Sequence, residues 1–143
     1  MAGARLTSIR QRVASLGAPM VGGRAYAYMP DQLAVGPEGA LVIVIDPGDT
    51  VIERMTLAET YRYRMAVRVI VGAASDEEAQ RQLDDRISPD GTRSVWTAIE
   101  ADGGMDGIAD FLLVMGAENY GELRDGETRH LSADLRIEVV GNV

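Results

Sequence analysis

The sequence YRYRMAVRVIV at residues 61–71 gives the clearest structural signal, because apolar or aromatic side chains alternate with mostly charged ones at a period of two. Successive side chains of a β-strand point to opposite faces of a sheet, so the stretch predicts a long strand with one apolar face. The other face is charged, and it is either exposed to solvent or covered by a partner. The apolar face carries Tyr61, Tyr63, Met65, Val67, Val69 and Val71, and the charged face carries Arg62, Arg64 and Arg68.

Further strands are predicted on both sides of this stretch. The β-branched run Leu41–Ile45 precedes Asp-Pro-Gly at 46–48, which is typical of a buried strand followed by a turn. The segment from Asp46 to about Thr56 is then predicted to be a turn, an arm or an extended loop. Later in the chain, alternation predicts strands at about Asp110–Ala117 and Leu131–Val140, paired as antiparallel neighbours through a polar loop.

The first thirty residues predict a helix and a short strand. Apolar residues recur at helical spacing from the start, and Gly17 ends the helix. Alternation over Arg24–Met29 predicts a short strand that ends at Pro30. The apolar positions of the helix are Leu6, Ile9, Val13 and Leu16.

Two short helices are predicted between the long strand and the last two strands. Ser75 with Glu78 three residues later forms a capping-box signature at the start of the first. The second spans about Ser94–Ala101, and a glycine pair at 103–104 ends it. The first helix has a narrow apolar stripe of Ala79, Leu83 and Ile87.

These elements fit one domain spanning residues 1–143, because the chain of 143 residues is 46% hydrophobic and contains no internal repeat or proline-rich linker. We predict an α/β fold of the α+β type. Its mixed, mainly antiparallel sheet has about four or five strands, with the N-terminal helix and two further helices packed on one face. The longest apolar run, Ala40–Ile45, is far shorter than the roughly 20 residues that cross a bilayer, so we expect no membrane association.

The sequence offers few residues for catalysis. Cysteine is absent, which excludes disulfides, thiol nucleophiles and thiolate zinc sites. The sequence has one histidine, His130. It contains no Gly-x-Ser-x-Gly nucleophile motif, and no other potential metal ligand lies at ligand spacing from His130. We therefore predict a protein that is not an enzyme and that has no cofactor. A small cytoplasmic enzyme or ligand-binding domain stays open as an alternative, and it requires a deep pocket that holds His130 and carboxylates with shifted pKa values.

Two acidic clusters are candidates for binding a hard cation. Asp90 and Asp106 each precede a glycine, which favours turn chemistry over metal binding, and neither cluster matches a calcium-loop pattern. We predict no metal site. The clusters are Asp84, Asp85 and Asp90, and Asp102, Asp106 and Asp110.

Charge is unevenly distributed along the chain. Up to Gly72 there are eight arginines against six acids, a balance of +2, and beyond it six arginines against sixteen acids, a balance of −10. The acidic C-terminal half is a poor surface for binding nucleic acid, which requires clustered cations. The polarity is compatible with subunits that meet through unlike ends.

Short sequence motifs, called phrases below, follow one another in a characteristic order from the end of the long strand onwards. They are VIVG at 69–72, AQRQLD at 79–84, GTRSV at 91–95, AIE at 98–100 and NYG at 119–121. In this order they resemble the strand, the helix, the Gly-x-x-Ser-Val turn and the second helix of the tail terminator proteins of siphophages that infect actinobacteria. The resemblance covers nearly the whole chain. One departure is Met105-Asp106-Gly107, where the family usually has a leucine-glycine pair.

The resemblance implies a structural virion protein without catalytic residues, assembled in the host cytoplasm and located in the neck region of the tail. Such proteins form a ring, usually a hexamer, that caps the tail tube, stops its polymerisation and joins the tail to the head connector proteins. Genome DNA then passes through the lumen without specific binding. Another neck or tail-completion protein, or the tube subunit itself, is the nearest alternative.

Two hypotheses concern the surfaces of such a ring. The arginines Arg62, Arg64 and Arg68 are either a solvated face or the partners of acids such as Asp84 and Asp85 on a neighbouring copy. The many C-terminal acids are expected to line the channel, where they repel phosphates and let DNA slide.

Overall fold

The computed structural model describes residues 2–28, 41–55, 57, 60–72, 77–101, 111–125 and 128–142. Within these ranges the chain forms three α-helices, one 3₁₀ helix and five β-strands. In chain order they are α1 (Ala2–Gly17), the 3₁₀ helix (Ala18–Val21), β1 (Ala25–Tyr26), β2 (Leu41–Arg54), β3 (Thr60–Gly72), α2 (Glu77–Ile87), α3 (Val95–Glu100), β4 (Phe111–Asp125) and β5 (Thr128–Asn142).

The strands form one sheet in the order β1-β2-β3-β5-β4. β1 runs parallel to β2, and every other neighbouring pair is antiparallel. The alternating strand β3 therefore lies at the centre, and β4 and β1 lie at the two edges. This arrangement confirms the predicted α+β class with a mixed, mainly antiparallel sheet.

The main core lies between one face of the sheet and the helices. The apolar side chains of β3 from Tyr63 to Val71 are buried there, as the alternation indicated. All three helices contribute to the same cluster, so they pack on one face of the sheet as predicted. Burying a side chain such as Leu83 or Ile99 stabilises the fold by about 1.5–3 kcal/mol. The helical members are Ile9, Val13, Ala79, Leu83, Val95 and Ile99.

The prediction that Asp46 to about Thr56 forms a turn, an arm or an extended loop is wrong for Asp46–Arg54, because β2 continues to Arg54. The ladder between β2 and β3 shifts register between Asp46 and Val51 and then resumes. Such an irregularity lets a strand contain a proline, which has no N–H to donate. Beyond it, Val51 and Glu53 lie opposite two arginines of β3, so cross-strand pairing overrides the local turn signal.

The last two strands are longer than predicted but pair as predicted, as antiparallel neighbours. Gly116, Asn119 and Gly121 resemble turn residues in sequence, and the structure includes them in β4 through two register shifts in its pairing with β5. Asn119 has a φ of 57°, in the left-handed region that asparagine tolerates better than most residues. β1 is shorter than predicted, with only Ala25 and Tyr26 paired.

The second predicted helix, Ser94–Ala101, is confirmed as α3. Ser94 is its N-cap, and the Ser94 Oγ accepts a hydrogen bond from the Thr97 backbone N–H at 3.1 Å. Several predicted features lie outside the described residues, namely Pro30, the Ser75 half of the capping box, and residues 102–110 with their acidic cluster. No helix in the described ranges is long and apolar enough to cross a membrane.

Candidate functional site

The face of the sheet opposite the helices, called the outer face below, carries the predicted arginine row. The period of two puts Arg62, Arg64 and Arg68 there, and each is only partly buried. The described helices pack their apolar side chains on the other face. One part of the outer face is nevertheless buried, where Val42, Val44 and Ile70 form a small second cluster.

Two arginines of the row pair with carboxylates of their own chain. Arg62 Nη2 donates to Glu53 Oε2, and Arg64 lies between two acids, with Nη1 3.6 Å from Glu53 Oε1 and Nε 3.2 Å from Glu138 Oε1. The hydrogen bond from Arg62 lowers the pKa of Glu53, and the same bond raises the pKa of Arg62. These groups form one cross-strand network over β2, β3 and β5.

The third arginine belongs to a more deeply buried network. Arg68 Nε lies 2.8 Å from Asp134 Oδ1, and Arg68 Nη2 lies 3.2 Å from Asp134 Oδ2. The Asp134 side chain is 1% exposed, and its Oδ2 also accepts a bond from Asn119 Nδ2 at 3.1 Å. This carboxylate therefore holds β3 to β5 and fixes the irregular part of β4.

Sequence reasoning missed the carboxylates that meet the arginine row, which are Glu53, Asp134 and Glu138. Asp134 and Glu138 lie directly opposite Arg68 and Arg64 in the register of β3 and β5. Placing the two alternating strands side by side would have revealed both pairs. Glu53 could not be found in this way, because it lay in the predicted loop.

The structure does not bring Asp84 and Asp85 together with the arginine row of the same chain. Both belong to α2, which packs on the helix-covered face. Asp84 accepts a hydrogen bond from Tyr120, and partial burial with this bond raises the pKa of Tyr120 to about 12. A contact between these acids and the arginines of a neighbouring copy stays a prediction.

Asp85 organises the turn that contains the GTRSV phrase. Its Oδ1 accepts from the Thr92 N–H at 2.7 Å and its Oδ2 from the Arg93 N–H at 3.1 Å. A Cβ at Gly91 would lie 1.8 Å from the Asp85 carbonyl oxygen, so only glycine fits there. The phrase thus has a structural role, because it connects α2 to the N-cap of α3.

The edge strand β4 exposes large apolar side chains. The exposed fractions are 41% for Phe111, 46% for Leu113 and 57% for Met115. Between them, the Val114 N–H donates to Glu100 Oε2 at 3.0 Å, and Trp96 Nε1 donates to Glu100 Oε1 at 3.0 Å. Glu100 of α3 therefore contacts the backbone of this edge at Val114, whereas the side chains of Leu113 and Met115 stay exposed.

Two hollows of the described surface are similar in volume. One of about 560 Å³ lies on the outer face among Val51, Arg64, Met115 and Arg136, and another of about 540 Å³ lies beside α2. His130 lines neither of them and is only 5% exposed. Within the described ranges, no three His, Cys, Asp or Glu side chains are grouped so that they could hold a metal ion.

Comparison with protein-family models and with curated proteins finds no match for the chain. Function must therefore be inferred from the residues and from the surfaces that the fold exposes. Those surfaces are an outer face with balanced charges and an edge strand with exposed apolar side chains, which together make a candidate surface for protein contacts.

Proposed function

We propose that this chain is a tail terminator, a ring subunit that caps the tail tube of a siphophage, stops tube polymerisation and joins the tail to the head connector proteins. The phrases at 69–72, 79–84, 91–95 and 98–100 support this proposal by their resemblance to that family. The observed order of long strand, helix, turn and second helix, from β3 to α3, agrees with the order that the resemblance implies.

The observation that carries the proposal is the exposed apolar edge of the sheet. Phe111, Leu113 and Met115 follow one another along β4, each more than 40% exposed. Contiguous exposed apolar groups on a protein surface mark contacts with other proteins. Covering them contributes about 25 cal/mol for each Å² of apolar surface removed from water.

The outer face supports an assembly role rather than nucleic-acid binding. Four arginines lie on it with four acids, and they pair across the strands. A phosphate backbone binds where cations are clustered without such neutralisation. The overall charge of −8 is likewise consistent with a lumen through which DNA passes without adhering. The residues of this set are Glu53, Arg62, Arg64, Arg68, Glu118, Asp134, Arg136 and Glu138.

A ring explains how one subunit can both stop a tube and receive a head. A subunit that uses two different patches closes a ring when the rotation between copies fits, and the ring then has two unlike faces. One face binds the last ring of tube protein, which blocks further stacking. The other face is left for the connector proteins.

Tube growth in the presence of the purified chain tests this proposal. The tube protein of the same phage is polymerised with and without the chain, and tube lengths are measured by electron microscopy. A terminator shortens the tubes in proportion to its concentration and is found at one tube end. Unchanged lengths would contradict the proposal, and growth of the chain alone into long cylinders would identify it as a tube subunit instead.

A further inference from the structure

The two ends of the sheet carry opposite charge. β1 forms one end, with α1 beside it on the helix-covered face, and residues 2–28 contain four arginines, of which Arg10 is buried, and no acid. β4 forms the other end, and its sequence contains three acids and one arginine. We call the first end the basic edge (α1 and β1, with Arg24, Tyr26 and Tyr28). We call the second the acidic edge (β4, with Phe111, Leu113, Met115, Glu118 and Glu122).

Both edges also expose large side chains. Tyr26 is 36% exposed and Tyr28 is 49% exposed at the basic edge. The Tyr28 ring is held in place, because its hydroxyl donates to Thr7 Oγ1 at 3.1 Å and the Arg10 guanidinium carbon lies 5.4 Å from the ring centroid. Aromatic rings presented in this way are preferred residues of protein interfaces.

The register of the sheet links the two edges. One cross-strand row crosses its full width, from Tyr26 at the basic edge to Glu118 at the acidic edge. If copies are related by rotation about an axis parallel to the strands, the strands of all copies keep their directions. The Glu118 end of this row in one copy then lies towards the Tyr26 end of the same row in the next copy. The row consists of Tyr26, Val44, Arg68, Asp134 and Glu118.

Strand direction also fits contact between unlike edges. β1 and β5 run in the same direction as β2, whereas β3 and β4 run in the opposite direction. After such a rotation, β4 of one copy is antiparallel to β1 of the next. Antiparallel neighbours form the more stable kind of strand pair.

We propose that copies of this chain associate head to tail, with the acidic edge of one copy packed against the basic edge of the next. This inference rests on the proposed ring and names the surfaces that close it. Glu118 and Glu122 approach Arg24 of the neighbour, and Met115 approaches its Tyr26 and Tyr28. Two acidic edges would repel each other, so the contact joins unlike ends, and it generates a ring when the rotation between copies closes.

Engineered cysteines test the pairing of edges against a clean background, because the natural chain contains none. Tyr26→Cys marks the basic edge, Met115→Cys marks the acidic edge, and a double variant carries both. Gln80→Cys, on the exposed side of α2, replaces Met115→Cys in a matched control double variant. Each protein is treated with a short bismaleimide crosslinker, both alone at high concentration and bound to tail tubes, and is analysed on denaturing gels.

The double variant is expected to give a ladder of covalent oligomers that stops at the ring size. Each single variant stays monomeric, and a mixture of the two single variants gives dimers and nothing larger. The control double variant gives at least severalfold less product. Dimers from a single variant would show that like edges meet, and a missing ladder or an equally strong control ladder would also overturn the proposal.

A charge exchange gives a second measure. Glu118→Arg with Glu122→Arg is expected to lower the crosslinked yield severalfold, and adding Arg24→Glu to the same chain is expected to restore most of it. No restoration would count against direct contact of these charges. The tube-length assay on the natural chain keeps the two proposals distinguishable. Shortened tubes without edge crosslinks leave termination intact and overturn only the pairing of edges.

Discussion

Replacing Arg68 by methionine tests the energetic role of the buried network on the outer face. The substitution keeps the aliphatic part of the side chain but leaves the Asp134 carboxylate, which is 1% exposed, without the guanidinium and with its hydrogen bond from the Asn119 amide. Breaking a buried ion pair by removing one partner costs about 3–5 kcal/mol. Because the Arg68 side chain is 22% exposed, we expect the lower end, about 3 kcal/mol.

That loss is large enough to measure in two ways. For a chain of 143 residues, it corresponds to a fall of about 10 °C in the melting temperature. Urea unfolding followed by far-UV circular dichroism at pH 7 gives the free energy of unfolding directly. The two measurements should agree if the chain unfolds in a two-state transition.

Two further variants complete this test. Arg136→Met removes a surface pair, in which Arg136 Nε lies 3.6 Å from Glu118 Oε1 and both side chains are about half exposed, so it should cost about 0–1 kcal/mol. Arg68→Met with Asp134→Leu removes both buried charges and should recover most of the loss. A single Arg68→Met variant within 1 kcal/mol of the natural chain, or a double variant no more stable than the single one, would refute the reasoning.

Three more predictions concern stability. Gly91→Ala should lower the free energy of unfolding in urea by more than about 2 kcal/mol, because its Cβ would lie 1.8 Å from the Asp85 carbonyl oxygen. Gly116→Ala, with open space around it, is the control, and an equal loss in both variants would contradict the clash. Ser94→Ala should cost about 1 kcal/mol through loss of the α3 N-cap, and an unchanged midpoint would exclude that role. Glu53→Gln should be less stable than the natural chain at neutral pH. Because the folded pKa of Glu53 lies below 4.5, this difference should shrink as the pH falls below 4.5, and a constant difference in unfolding midpoint would contradict it.

The central strand and the core were predictable because their pattern has a single physical solution. Alternation over residues 61–71 matches only a strand, and β3 buries the predicted face. α3 was predictable because the glycine pair at 103–104, a local signal, marks its end. The packing of all three helices on one face followed from their narrow apolar stripes.

Features that depend on distant partners could not be predicted. Asp46-Pro47-Gly48 is a turn signal locally, yet β2 resumes its pairing with β3 beyond it, where Val51 and Glu53 lie opposite Arg64 and Arg62. Asp85 was predicted to bind a neighbouring copy, whereas in its own chain it holds backbone N–H groups seven and eight residues ahead. Backbone donors leave no pattern in a sequence, so such a role becomes visible only in the fold.

Measuring the tails of a phage that lacks this gene shows whether the chain terminates tube growth. If the chain terminates tube growth, electron microscopy should show tails that exceed the normal length and carry no heads, and supplying the gene in trans should restore normal tails. Tails of normal length attached to heads in the absence of the gene would contradict the account.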